Sequence, residues 1–167
     1  MNFLRQFSST SAPKHVLVVG GCGGLGKAVV QQFANSGFVV TNIDFKKQPL
    51  ASINLKLAQG EEFTSTVERL SEELKNHNFD IIVHTAGGWA GSNAGEPEFP
   101  ASLEYLLNVN VKSAALAAHL AANSLKSGGM FTLTGAAAAL PVNGGTPGMM
   151  AYGKHNIYAY CYMFIHS

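Results

Sequence analysis

An α/β fold, a doubly wound parallel sheet, is predicted by three features of the sequence. Strand-like apolar runs alternate with helical periodicities, five glycines crowd the first strand-to-helix turn, and an acid closes the second strand. Val16 to Val19 (VLVV) is a continuous apolar run of the kind a parallel sheet buries on both faces. After GGCGGLG, Gly20 to Gly26, the residues Leu25, Ala28, Val29 and Phe33 recur at helical spacing, and Gly37 supplies a stop. Phe38 to Ile43 reads as the second strand, ending at Asp44, and Ser52 to Ala58 as a weaker third. Phe63, Val67, Leu70 and Leu74 mark an amphipathic helix, and Phe79 to Ala86 a fourth strand. Gly87 to Pro100 has turn residues and no periodicity, so it reads as a loop. Ala101 to Lys126 is apolar or small on nearly every side, which predicts a helix packed on the sheet on one side and on a second subunit on the other. Gly128 to Thr134 reads as a fifth strand, and the crossovers between strands are expected to be right-handed.

Composition narrows the possible partners. A chain that is 47% hydrophobic and 13% charged suits one domain with a packed core, and a net charge of +1 gives no general attraction to nucleic acid or an anionic membrane. No apolar run approaches the ~20 residues of a membrane span. The acids are clustered: none precedes Asp44, none follows Glu104, and six lie between Glu61 and Asp80, where a solvated helix face is expected. Cys22 and Cys161 have neither metal-site spacing nor the density of a disulfide scaffold, which excludes a zinc module and points to a reducing compartment such as the cytoplasm. Residues 1–14, rich in Ser and Thr and free of acids, read as a flexible tail or as a short mitochondrial targeting segment.

The glycine turn carries two overlapping spacings. Gly21, Gly23 and Gly26 give G-x-G-x-x-G, while Gly20, Gly24 and Gly26 give G-x-x-x-G-x-G. On a strand-to-helix turn either spacing lets backbone N–H groups and a helix N-terminus hold a pyrophosphate, because a Cβ would block the approach. Asp44 follows about 20 residues on, where a carboxylate accepts hydrogen bonds from both adenosine ribose hydroxyls and repels a 2′-phosphate. A Rossmann-like dinucleotide site that prefers NADH to NADPH is therefore expected, with Lys46 and Lys47 as cations that can offset the repulsion or simply form a solvated turn. A second loop, TAGGWAGSNAG, leaves the fourth strand, so Ala86, Gly87 and Gly88 are expected beside the same ligand. Trp89, the one tryptophan, is either a core or hinge anchor or a flat wall for a planar substrate.

Taken together, VLVVGGCGGLG, the Asp44 strand end, AGGWAG, AAHLAANSLKSGG, MFTLTGAAAAL and TPGMMAYG resemble, in order, the short-chain dehydrogenase/reductases. The resemblance covers roughly residues 15–153 and is strongest to members that reduce quinonoid dihydropterin, regenerating tetrahydrobiopterin. It implies a nicotinamide cofactor, a homodimer built through the 101–126 helix, a pyrophosphate turn at Gly20, Gly21, Gly23, Gly24, Leu25 and Gly26, and the ribose on Asp44. It also implies Trp89 on the substrate side and Tyr152 as the proton-donating tyrosine. Most members carry a serine just after the fifth strand that clamps a developing alkoxide. Here Gly135 to Ala139 has no hydroxyl, which argues for a substrate that spreads its charge over a ring, with Thr134 or Thr146 as substitutes. Asn110, near the family's helix asparagine, is read as a buried polar residue satisfied locally.

The C-terminal stretch departs from that pattern. The family pairs its tyrosine with a lysine four residues on, which lowers the phenol pKa. Asn156 holds that place here, and Lys154, two residues on, points about 200° away on a helix. Tyr158, Tyr160 and Tyr162 alternate at period two where a helix is required. Residues 154–167 are therefore expected to form a divergent tail and the sheet to be incomplete at its C-terminal edge. The alternatives this leaves are a non-catalytic or dimer-competing NAD(P)-binding form and a reductase of simple carbonyls.

Overall fold

The computed structural model describes residues 12–136. Tyr152, Thr146, Lys154, Cys161 and the tail lie outside the described residues. Five strands form one parallel sheet in the order β3-β2-β1-β4-β5: β1 His15–Val19, β2 Val39–Asp44, β3 Ile53–Lys56, β4 Phe79–His84 and β5 Leu125–Leu133. The helices are α1 Gly24–Asn35, α2 Phe63–Leu74, α3 Phe99–Leu106 and α4 Ser113–Ser124, with a π-helical turn, Leu107–Lys112, joining the last two.

Strand β1 shows why the sheet must be covered twice. Its residues alternate sides, and both sides are apolar. Val16 and Val18 join Val40 and Val30 in a cluster completed by Val29 and Phe33 of α1. Leu17 and Val19 join Ile43, Phe79 and Ile82 under Leu70 and Leu74 of α2 and Leu116, Ala117 and Leu120 of α4. The chain winds outward from β1 through β2 to β3, then returns across β1 to place β4 on its other side. That reversal opens a crevice beyond the carboxyl ends of β1 and β4, the usual ligand position in such sheets.

Several predicted boundaries move. The second, third and fourth strands shorten or shift to their paired residues, and α3 begins at Phe99, inside the predicted loop. The long helix predicted to reach Lys126 ends at Ser124. Leu125 is already extended (φ −81°, ψ 134°) and pairs with Phe79. Leu125 keeps the helical apolar spacing, but its side chain packs against the sheet cluster from a strand instead. Between the Phe79 and Ile81 pairings the β4–β5 register shifts, where Gly128 takes a positive φ of 75°. At the opposite end of the sheet, Asp80 accepts the His15 N–H (2.8 Å) and the Lys126 Nζ (2.9 Å), tying the starts of β1 and β5 to β4. These two donors, the amide first, hold the Asp80 carboxyl below the usual carboxylate range.

Of the acidic run, Glu68, Glu72 and Glu73 lie exposed on α2, as expected, while Glu61 and Glu62 precede the helix and Asp80 stands on β4. Arg69 donates Nε to Glu61 Oε1 (2.9 Å) and Nη2 to Glu61 Oε2 (2.8 Å), and reaches Glu73 Oε1 (2.9 Å) one turn on. The two-pronged contact from Arg69 pulls the Glu61 carboxyl down from 4.5 to about 2. A carboxyl depressed in the fold stabilises it above the unfolded pKa and loses that contribution as pH falls through the folded value. Glu61→Gln is thus expected to be less stable than wild type at neutral pH, with the gap closing between pH 4.5 and about 2. Urea melts at stepped pH read this directly, and a gap independent of pH would refute it.

Candidate functional site

The glycine turn is built from both sides of the crevice. Gly20 has φ +93°, and a Cβ there would lie 2.5 Å from the Ala86 amide nitrogen, so the turns after β1 and β4 touch backbone to backbone. Thr85 reinforces the seam, its hydroxyl lying 3.1 Å from both the Val19 and the Gly20 carbonyl oxygens. A Cβ on Gly26 would collide with the Gly20 carbonyl, and one on Gly21 with the Asn42 side chain. The protein itself therefore demands three of the five glycines. Gly24 is different: nothing lies within 4 Å of a Cβ built there, and at Gly23 the nearest atom is at 3.4 Å, an ordinary contact.

Those two open glycines stand at the start of α1. Gly23 is its N-cap, with no side-chain cap and no acid in the first turn, and the first internal bond runs from the Lys27 N–H to the Gly23 carbonyl (3.0 Å). The N–H groups of Gly24, Leu25 and Gly26 precede that bond, and Leu25 is exposed beside them. An uncapped helix start, bare of side chains on its open face, fits a diphosphate.

Asp44 lies beside this turn at the end of β2. Its Oδ2 accepts the Cys22 N–H (2.8 Å) and its Oδ1 the Lys46 N–H (3.3 Å). Each carboxylate oxygen keeps a further lone pair, so the group can anchor the turn and still receive ribose hydroxyls. Alongside is a cavity of 520 Å³ lined by Cys22, Lys27, Gln31, Lys46 and Lys47 among others. Its three lysines bring more positive charge than the sequence reading assigned to this place. Cys22 donates its thiol to the Lys46 carbonyl (3.1 Å), and burial, then the Asp44 carboxylate, pushes that thiol up from its ordinary pKa. That direction disfavours the thiolate, the nucleophilic form.

On the β4 side, Ala86 packs against Gly20, Gly87 is exposed, and Gly88 is gripped by Asn110. The fully buried Asn110 accepts the Gly88 N–H (3.1 Å) and donates to the Gly88 carbonyl (3.0 Å). Asn110 is thus buried and satisfied, but by a loop 22 residues away and not locally. Trp89 is 61% exposed, its ring lying over Gly91, which removes the core-anchor reading.

Several residues that shape the site carried no sequence signal. His84, buried in β4, meets the Ser113 hydroxyl at 2.8 Å, and that hydroxyl donates to the Val109 carbonyl (2.7 Å). Ser113 has one hydrogen, already committed, so His84 Nε2 must be the donor of the pair. Thr134 gives its hydroxyl to the His84 carbonyl (2.7 Å). It therefore has no hydrogen left for a substrate oxyanion, which corrects its reading as a substitute for the missing serine; Gly135 and Ala136 follow without hydroxyls. Among the described residues there is no group of three or more side chains suited to a metal, and no helix long and apolar enough to cross a membrane.

Known proteins share the fold. A curated dihydropteridine reductase from Dictyostelium discoideum is 41% identical over 142 residues, which is 84% of this chain and 59% of that protein; the chain thus spans about three-fifths of its relative's length. Among solved structures, a short chain dehydrogenase family protein from Francisella tularensis is 24% identical with a TM-score of 0.74, over 89% of this chain and 61% of the other. A short-chain dehydrogenase/reductase from Burkholderia multivorans with bound NADP is 18% identical with a TM-score of 0.75, over 91% and 72%. The sequence profile of the short chain dehydrogenases matches residues 14–153, a span that takes in every strand among the described residues and both loops of the crevice, and the chain therefore belongs to that family.

Proposed function

We propose that this chain serves an NADH-dependent reductase of quinonoid dihydropterin, and that it carries the coenzyme-binding part of that enzyme. The open start of α1 carries the reading: Gly23 and Gly24 leave room for a diphosphate where neighbouring glycines are filled by the protein. When bound, the nicotinamide supplies a hydride. The residues around it bind and orient. The α1 amides receive the diphosphate, Asp44 the adenosine ribose, and the Ala86–Gly88 backbone, stiffened by Asn110, the inner part of the dinucleotide. Lys27, Lys46 and Lys47 moderate the repulsion Asp44 exerts on a 2′-phosphate, so NADPH is a weaker second coenzyme.

The pterin assignment draws on the curated relative and on two features of the site. Trp89 offers an exposed planar face in the loop that leaves β4, and the Thr134 hydroxyl is committed to the His84 carbonyl, which suits a ring that delocalises its charge. Tyr152 is the proposed proton donor, and the 101–126 segment the proposed homodimer surface. Titrating the chain with NADH, followed by its fluorescence, tests binding. Following NADH oxidation with freshly prepared quinonoid dihydropterin and with simple ketones tests the substrate. Turnover of ketones alone would overturn the pterin reading; binding without any turnover would leave a dinucleotide-binding protein.

A further inference from the structure

The Gly21–Cys22 peptide is clamped at both ends. Its oxygen accepts Gln48 Nε2 (2.8 Å), and its N–H goes to Asp44 Oδ2 (2.8 Å). The preceding peptide is held too, the Gly21 N–H donating to Asn42 Oδ1 (3.0 Å). Asn42 is fully buried and Gln48 is 5% exposed, so these carboxamides work where a missing partner is costly. Asn54 on β3 joins them: its Oδ1 accepts from Asn42 Nδ2 (3.1 Å) and from the Gln48 N–H (2.7 Å), and its Nδ2 donates back to the Gln48 carbonyl (3.1 Å). Gln48 Oε1 takes the Leu50 N–H (3.3 Å), which leaves the amide no second orientation with the same bonds.

We propose that Gln48, held by Asn54, which Asn42 holds in turn, is a positioning residue for the coenzyme: by fixing the Gly21–Cys22 peptide it aims the Asp44 carboxylate at the adenosine ribose. This rests on the dinucleotide reading above. A turn with a free peptide plane would let the Cys22 N–H leave Asp44, whose carboxylate would then reorient toward Lys46 and the solvent-facing lysines. The three carboxamides come from β2, from the turn after it and from β3, so β2 and β3 brace a turn that belongs to β1 and α1.

The test is a double-substitution cycle read as NADH affinity, with folding followed by circular dichroism. Gln48→Met keeps the side-chain volume and removes both bonds. It is expected to weaken NADH about tenfold, the scale of one buried hydrogen bond. Placed on Asp44→Ala, the same substitution is expected to cost less than about twofold, because the group it aims is gone. A merely structural role predicts the same loss in both backgrounds, and that result would overturn the proposal, as would wild-type affinity in Gln48→Met. If Gln48→Met does not fold, Gln48→Glu, which keeps the acceptor for Leu50 and repels the Gly21 carbonyl, is read in the same cycle with the same criterion. Wild-type protein that binds no NADH would defeat the coenzyme reading itself, and this inference with it; binding with an additive cycle would defeat only the inference.

Discussion

Alanine at Gly20 is expected to remove about 2–5 kcal/mol of stability, the sum of ~1–2 for a left-handed backbone and ~1–3 for overpacking. The new Cβ would meet the Ala86 nitrogen at 2.5 Å and its Cα at 2.7 Å, and these are backbone atoms in the next strand's exit, unable to swing aside. Domains of this size are stable by about 5–15 kcal/mol, so the variant should melt well below wild type. The damage also has an address. Relief requires the β1 and β4 turns to separate, breaking the Thr85 seam, so binding of NADH should fail before the sheet does. Gly24→Ala is the control: no atom lies within 4 Å of its Cβ, so it should melt like wild type yet bind NADH more weakly. Equal melting temperatures for Gly20→Ala and Gly24→Ala would contradict this account.

Asp44→Ala is expected to weaken NADH by about 100-fold, the loss of two charge-assisted hydrogen bonds to a ribose at roughly 1.5 kcal/mol each. NADPH should lose much less. Removing the carboxylate also removes its repulsion of a 2′-phosphate, while Lys27, Lys46 and Lys47 remain around the cavity. Part of the effect comes from the turn, since the Cys22 and Lys46 N–H groups lose their acceptor, and that part falls on both coenzymes. The ratio of the two dissociation constants therefore isolates the ribose contribution. Equal losses for NADH and NADPH would mean that Asp44 only anchors the turn.

How much of this was legible depended on whether a residue's role left a periodic trace. The β1 run, the α2 stripe from Phe63 to Leu74 and the acid closing β2 all follow from burial on a repeating geometry, and all stand where the pattern put them. The end of α4 was hidden because Leu125 satisfies a helix and a strand alike; only its pairing with Phe79 decides. Within the glycine turn the sequence showed where side chains are excluded but not by what, and Gly21 turned out to be answered by Asn42. Carboxamides such as Asn42, Gln48 and Asn54 form a network through space, across strands whose neighbour order a single sequence does not state. His84 with Ser113, and Asn110 with Gly88, were hidden for the same reason: each bond spans more than twenty residues.

The π-helical turn at Leu107–Lys112 sets the phase between α3 and α4. Its i→i+5 bonds spend one extra residue on nearly the rotation that five α-helical residues make, so deleting one residue here other than Asn110 would restore an ordinary α-helix with α3 and α4 still in phase. The same deletion inside α3 or α4 would swing one segment about 100° against the other and turn the buried flank of α4 off the sheet. A one-residue deletion should therefore be better tolerated at this turn than one turn to either side of it.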